Sequence, residues 1–252
     1  MSYWIDTHCH MNEEVYREDF DGYMKLAQEN NVLVSNVVCL NRQDFEYTKR
    51  LKERYPNLDI TFGYFPEDVH HLNDEDMDYL ESVIDEIIAV GEIGLDYYWN
   101  REEKEAQKEM FIRQIEIANR HDKPIMIHSR SAAQDTYDIL KKHARTKVIM
   151  HCFSESTEMM REYLKLGYYI SFTGVVTFKN ARVPKDNALE CPLERMMIET
   201  DCPYLTPVPF RGQTNQTAYV RYTGEYIARL RGISIEELQE QLIKNYQEWK
   251  GQ

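Results

Sequence analysis

Pro124-Ile125-Met126-Ile127-His128-Ser129-Arg130 sets four apolar residues in an unbroken row and then turns polar at a histidine. A strand with one wet face alternates apolar and polar side chains, whereas an unbroken run belongs to a strand covered on both faces, as in a parallel sheet clothed in helices. Segment 32–38, apolar but for Ser35 and Asn36, also suits a doubly covered strand better than strict alternation does. Outward from these two, strand-like segments fall at 3–7, 32–40, 59–65, 87–95, 124–129, 147–153, 168–174 and 195–200. Helical spacing fills 17–30, 43–54, 75–86, 101–121, 133–142 and 156–166 between them. The connection 175–191 is less regular, and helices resume near Ala218 and at Ile235, where Ser234 and Glu237 have the form of a capping box. Eight strands separated by helices, with no linker or low-complexity stretch, predict one α/β domain over 1–252, a (β/α)8 TIM barrel. A doubly wound open sheet is the alternative, but no Gly-x-Gly-x-x-Gly or P-loop follows any strand.

The chain has 252 residues, 42% of them hydrophobic, enough for a sizeable core. Lys and Arg number 30 against 43 Asp and Glu, a net charge of −13, which repels polyanions and argues against a basic face gripping duplex nucleic acid along its length. A phosphate substrate would therefore need local positive charge, such as metal ions. Five cysteines with no Cys-x-x-Cys spacing read as reduced thiols. A first strand starting near Tyr3 leaves no room for a secretory leader, and no apolar run reaches the roughly 18 residues of a membrane span. These features lead us to expect a cytoplasmic protein with no membrane association and no evident obligate protein partner.

In a (β/α)8 barrel, catalytic side chains gather at the C-terminal ends of different strands. Here one strand ends in Ile5-Asp6-Thr7-His8-Cys9-His10, whose two histidines sit at i and i+2, on one face of an alternating strand. Others end in Glu92, His128, His151 and Asp201, each after an apolar run. Lone polar groups are costly to bury, so five such strand ends point to a shared site. Four histidines and two carboxylates exceed the needs of one tetrahedral zinc and suit two ions about 3.5 to 4 Å apart.

The motifs Asp6-Thr7-His8-Cys9-His10, Gly91-Glu92-Ile93-Gly94-Leu95-Asp96-Tyr97, Ile127-His128-Ser129-Arg130, Met150-His151-Cys152-Phe153-Ser154 and Glu199-Thr200-Asp201-Cys202-Pro203-Tyr204-Leu205-Thr206-Pro207 resemble the TatD family of metal-dependent hydrolases, in the amidohydrolase-like barrel superfamily. The resemblance runs from about residue 3 to the last helix. It implies a dinuclear centre of two divalent ions (Zn, Mg or Mn) and nuclease activity on DNA ends. Carried over by position, it implies His8, His10 and Asp201 on one ion, His128 and His151 on the other, and Glu92 bridging. Glu92 and Asp201 are the expected catalytic residues, Asp201 accepting a proton from the attacking water.

Three departures concern the substrate. Where the family usually shows Gly-x-His-Pro, this chain reads Gly63-Tyr64-Phe65-Pro66, an aromatic ring in place of a histidine. The family's usual Arg-Gly-Lys-Arg-Asn-Glu-Pro becomes Arg211-Gly212-Gln213-Thr214-Asn215-Gln216-Thr217, neutralising two cations and one carboxylate. Glu155 stands where glycine is common. The expected substrate contacts are Arg130, Arg211, Asn215 and Phe65, the two arginines as phosphate clamps or as ordinary surface charges.

Other residues carry open readings. His70 and His71 either replace the missing histidine from a shifted position or lie in an exposed loop. His121 and His143 read as helix ends, where a cation favours the dipole, and Asp74-Glu75-Asp76 as a helix start. Cys9, Cys152 and Cys202 each adjoin a proposed ligand and by alternation turn away into packing. Tyr97, Tyr98 and Trp99 either stack on bases at the barrel mouth or pack within a loop. The leading expectation is a phosphodiesterase acting at DNA ends or on a small phosphodiester. Behind it stand a dinuclear hydrolase of a small amide, lactone or other ester, and a non-catalytic metal-stabilised binding protein.

Overall fold

A computed structural model describes residues 2–251. Eight parallel strands lie in sequence order: β1 Trp4–Cys9, β2 Val32–Cys39, β3 Leu58–Phe62, β4 Ala89–Asp96, β5 Ile125–Arg130, β6 Val148–Met150, β7 Tyr169–Phe172 and β8 Met196–Ile198. Around them run α1 Glu14–Arg17, α2 Phe20–Glu29, α3 Arg42–Arg54, α4 Asp74–Ser82, α5 Lys104–Arg120, α6 Ala133–His143, α7 Thr157–Lys165, α8 Arg182–Glu190, α9 Val220–Arg231 and α10 Ile235–Lys250. The predicted TIM barrel is the architecture found. Among the described residues no helix is long and apolar enough to cross a membrane.

The unbroken apolar run of β5 has two dry faces, as its sequence requires. Ile125 and Ile127 pack outward under the helices, while Met126 points into the barrel. Ile5, Val38, Ala89, Met126, Ile149, Tyr169 and Met197, one from each of seven strands, fill the interior. Tyr246 and Trp249 of α10 belong to the same cluster and are almost fully buried. The lumen is therefore a packed core, and its open end is the one toward which the strands' C-termini point.

The ring closes beyond β8. Asp201 N donates to His8 O at 3.0 Å and His10 N to Cys202 O at 2.9 Å. Thr7 Oγ1 donates to Ile198 O at 3.0 Å, and the Asp6 carboxylate accepts from Thr200 N at 2.8 Å and Thr200 Oγ1 at 2.6 Å. The barrel is thus sealed by the same residues that carry the proposed ligands.

Several boundaries differ from expectation. β3, β6, β7 and β8 stop sooner than the apolar runs suggested, so that His151, expected within its strand, lies past the end of β6. Asp19 caps α2 by accepting from Gly22 N, which splits the expected 17–30 helix from the short α1. The irregular connection after β7 contains α8, with Pro184 in its first turn, where a missing N–H costs nothing. Ser234 caps α10 by accepting from Glu237 N, and the full reciprocal box occurs instead at Asn73 and Asp76 of α4. That box explains the acidic run 74–76.

Candidate metal centre

Simple alternation does not deliver the first histidines. Ile5 faces the lumen, yet His8, three residues on, reaches the same side: its Nδ1 lies 2.9 Å from Met126 Sδ. The β1–β2 register shifts between Asp6 and Cys9, and this bulge supplies the odd residue that re-aims the strand's end. His8 Nε2 and His10 Nε2 then converge at 3.1 Å. Asp201 meets them from beyond β8 with its backbone at φ 54, a left-handed conformation that aspartate tolerates better than most residues.

Glu92 of β4 is the hub. Its Oε1 lies 2.8 Å from His128 Nδ1 and 2.9 Å from His151 Nε2; its Oε2 lies 3.3 Å from His8 Nε2 and 3.9 Å from His10 Nε2. Asp201 Oδ1 is 3.6 Å from His8 Nε2 and 3.5 Å from His10 Nε2. Each Glu92 oxygen thus addresses its own pair of imidazoles.

Whether this constellation fits cations is decided by its protons. His128 Nε2 lies 2.9 Å from Asp96 Oδ2 and His151 Nδ1 2.9 Å from Glu199 Oε1. His10 Nδ1 lies 3.3 Å from Val38 O, and His8 Nδ1 faces Met126 Sδ. Every outward ring nitrogen has an acceptor, which places the proton there and leaves four lone pairs converging on Glu92 and Asp201. Ligand atoms 2.0 to 2.1 Å from one tetrahedral ion lie about 3.3 Å apart, close to the 3.1 to 3.6 Å separations among His8 Nε2, His10 Nε2 and Asp201 Oδ1. The donor set fits divalent cations, and His8–His10–Glu92 and Glu92–His128–His151 each form a cluster able to hold one.

Without cations the site stores protons. Burial alone would lower His10, but the hydrogen bond and charge of Asp201 outweigh it and push the ring up to about 9. Burial would likewise lower His151, which Glu92 and Glu199 hold well above the usual imidazole range. Burial would raise Glu92, yet the charges of His151 and His8 and the hydrogen bonds from His128 and His151 keep it well below the usual carboxylate range.

Above the hub opens a cavity of about 730 Å³. Phe65 lines it, its ring 4.8 Å from that of His128. Arg130 also lines it, with its guanidinium 4.2 Å from the Tyr98 ring centre. Glu13 and Glu67 add negative charge at its wall.

Two expected substrate contacts lie elsewhere. Arg211 is exposed, stacked 3.8 Å over Phe178, and does not line the cavity. Asn215 is fully buried: its Nδ2 donates to Thr200 O at 3.0 Å and to Tyr204 O, and its Oδ1 accepts from Gln216 N. Its amide is thus spent on the loop after β8, which it braces.

His70 and His71 are exposed on the turn Pro66–His71, with His70 paired to Glu103, outside the cavity. Cys9 and Cys202 are buried beneath α2, as alternation predicted. Cys152 is a correction. It follows the end of β6 with φ 43, where strand alternation no longer holds, and lines the cavity; burial pushes its thiol up. Glu155 accepts from Ser129 Oγ at 2.6 Å, beside His128.

Asp96 and Glu199 stand in the motifs without an expected role, yet each bonds the outward nitrogen of a histidine at the hub. Glu199 precedes Asp201 by two residues, and that same-face spacing was the signal for it. Asp96 follows Glu92 by four residues on β4, and that same-face spacing was the signal for it.

Residues 5–250 match the family model described as TatD related DNase. An uncharacterized metal-dependent hydrolase of Bacillus subtilis (strain 168), YabD, is 40% identical over 238 residues, covering 93% of each chain. The human deoxyribonuclease TATDN3 is 30% identical over 256 residues, covering 96% of this chain and 92% of its own. The crystal structure of YjjV, a TatD homolog from Escherichia coli K12, superposes with a TM-score of 0.91 at 28% identity, covering 97% of this chain and 96% of that one.

Proposed function

This chain belongs to the TatD-related DNase family of metal-dependent hydrolases, and from that premise we propose that it hydrolyses phosphodiesters at the end of a DNA strand, using two divalent cations. The observation that carries this reading is Glu92, whose two carboxylate oxygens face two separate pairs of histidines. His8, His10 and Asp201 would hold one cation and His128 and His151 the other, with Glu92 shared between the two sets. When bound, the cations supply positive charge to the phosphate and lower the pKa of a water to near neutrality. Imidazole donors favour zinc or manganese and also admit magnesium.

The protein's own groups do the rest. Asp96 and Glu199 keep protons on the outward nitrogens of His128 and His151, so both rings present lone pairs. Asp201, with 16% of its side chain exposed against 3% for Glu92, is the more open of the two proposed ligand carboxylates, and it accepts the proton of the attacking water. Arg130 offers the guanidinium for the phosphate, and apart from the histidines the other ionisable side chains that line the cavity include the carboxylates Glu13 and Glu67.

That acidity favours a second reading. Glu13 and Glu67 line the same cavity as Arg130, and a small ester, amide or lactone would suffer less repulsion there than a polyanion. The test loads the protein with zinc, manganese or magnesium and offers end-labelled single-stranded DNA, a p-nitrophenyl phosphodiester and a lactone, with His128→Ala as control. We expect metal-dependent release of nucleotides that the variant loses. Turnover of the lactone alone would select the second reading, and silence on every substrate would leave a metal-stabilised binding protein.

A further inference from the structure

The turn after β4 holds two aromatic rings outside the core, Tyr98 at 57% and Trp99 at 64% exposure, in a chain whose other tryptophans, Trp4 and Trp249, are 3% and 0% exposed. Burying apolar rings is the main stabilising force in folding, so two large rings left in water beside a cavity ask for an occupant. Trp99 and Arg130 both line the cavity that contains Glu92 and His128. The Arg130 guanidinium lies 4.2 Å from the Tyr98 ring centre and 5.4 Å from that of Trp99, and the two rings meet edge to face at 4.7 Å. This cluster is built into the site. Asp96 Oδ1 accepts from the backbone N–H of Tyr98 at 2.8 Å and of Trp99 at 2.9 Å, while Asp96 Oδ2 holds His128 Nε2. One buried carboxylate therefore sets both the ring of a metal ligand and the position of the aromatic turn. Tyr97, by contrast, is buried and bonded to Asp135, and takes no part.

We propose that Tyr98, Trp99 and Arg130 form a stacking platform for the nucleobase next to the scissile phosphate. Every base has a π-face, so such a platform grips single-stranded nucleic acid without reading its sequence, and an arginine over the rings adds attraction for the adjoining phosphate. A duplex keeps its bases stacked on one another and cannot offer a face except at a frayed end. The platform thus selects unpaired ends and supplies affinity that the acidic cavity wall otherwise denies a nucleic acid. The inference rests on the phosphodiesterase reading and assigns the substrate's base to a place within that same cavity.

Because Trp99 is the one exposed tryptophan, its emission reports the platform directly. The experiment titrates the metal-loaded protein with a short oligodeoxythymidylate and with an abasic strand of equal length and charge, following fluorescence and hydrolysis. We expect the base-bearing strand alone to quench Trp99, and its KM to be about 10-fold or more below that of the abasic strand, the scale of one base stack. Trp99→Ala should bring that KM ratio close to one, and Trp99→Phe should restore most of it. Equal quenching by both strands, or a ratio unaltered in Trp99→Ala, overturns the platform. Should neither strand be cleaved by the wild-type protein, the phosphodiesterase reading fails while the quenching titration still decides whether a base binds.

Discussion

The smallest unit that explains this site is a histidine with its proton placed. His128 and His151 each face Glu92 with one nitrogen and a second carboxylate with the other, 2.9 Å away. Replacing Asp96 by asparagine keeps the shape but allows the amide to donate toward Nε2, favouring the tautomer with its proton on the metal-facing Nδ1. We expect Asp96→Asn to weaken cation affinity about 10- to 100-fold with little change in thermal unfolding, as measured by competition with a fluorescent chelator. An unchanged affinity would show that Asp96 serves only the aromatic turn. At this scale the sequence spoke clearly about ligands and poorly about their partners. His8, His10, Glu92, His128, His151 and Asp201 follow apolar runs and could be picked out, whereas Asp96 acts through a ring turned toward it in space. Asn215 shows the converse: a polar residue in a substrate-facing motif whose amide the fold consumes entirely.

Among elements, β4 and β5 carry the closest constraint. Gly94 sits at φ 150, and a Cβ there would stand 1.9 Å from the carbonyl oxygen of His128. Only glycine lets the two strands approach so closely that Glu92 and His128 meet at 2.8 Å. Gly94→Ala should cost about 2 kcal/mol or more through backbone strain alone and shift β5 enough to lower activity sharply. For a chain of this size that corresponds to a fall in melting temperature of about 4 °C or more, to be read by calorimetry. All eight strands and most helices were legible, because doubly covered strands and amphipathic helices imprint their periods on composition. Their ends were not. β6 and β8 stop short of His151 and Asp201, and the Asp6–Cys9 bulge in β1 is a pairing event with β2 that no local pattern carries.

For the molecule as a whole, metal, protons and stability are linked. His10, pushed up to about 9 by Asp201, must release its proton for the ring to serve as a ligand. His151, held above the usual imidazole range by Glu92 and Glu199, must release one as well, so below about pH 9 each unit of acidification should weaken cation binding roughly tenfold or more, and calorimetric titration in buffers of different ionisation enthalpy should count the protons displaced. A pH-independent affinity would contradict the assignment of His10. Cation binding to the folded chain raises its melting temperature by mass action, so chelator should lower it. The sequence by itself determined the barrel and the identities of its candidate ligands, since burial on two faces and polar residues at strand ends are properties of the chain's order. Tertiary structure alone decided the proton acceptors of the four imidazoles, the withdrawal of Arg211 and Asn215 from the cavity, and the entry of Cys152 into it. It also joined the aromatic turn to the ligand ring through Asp96. Each of these depends on the distance between groups from different strands, and that distance exists only once the sheet has closed on itself.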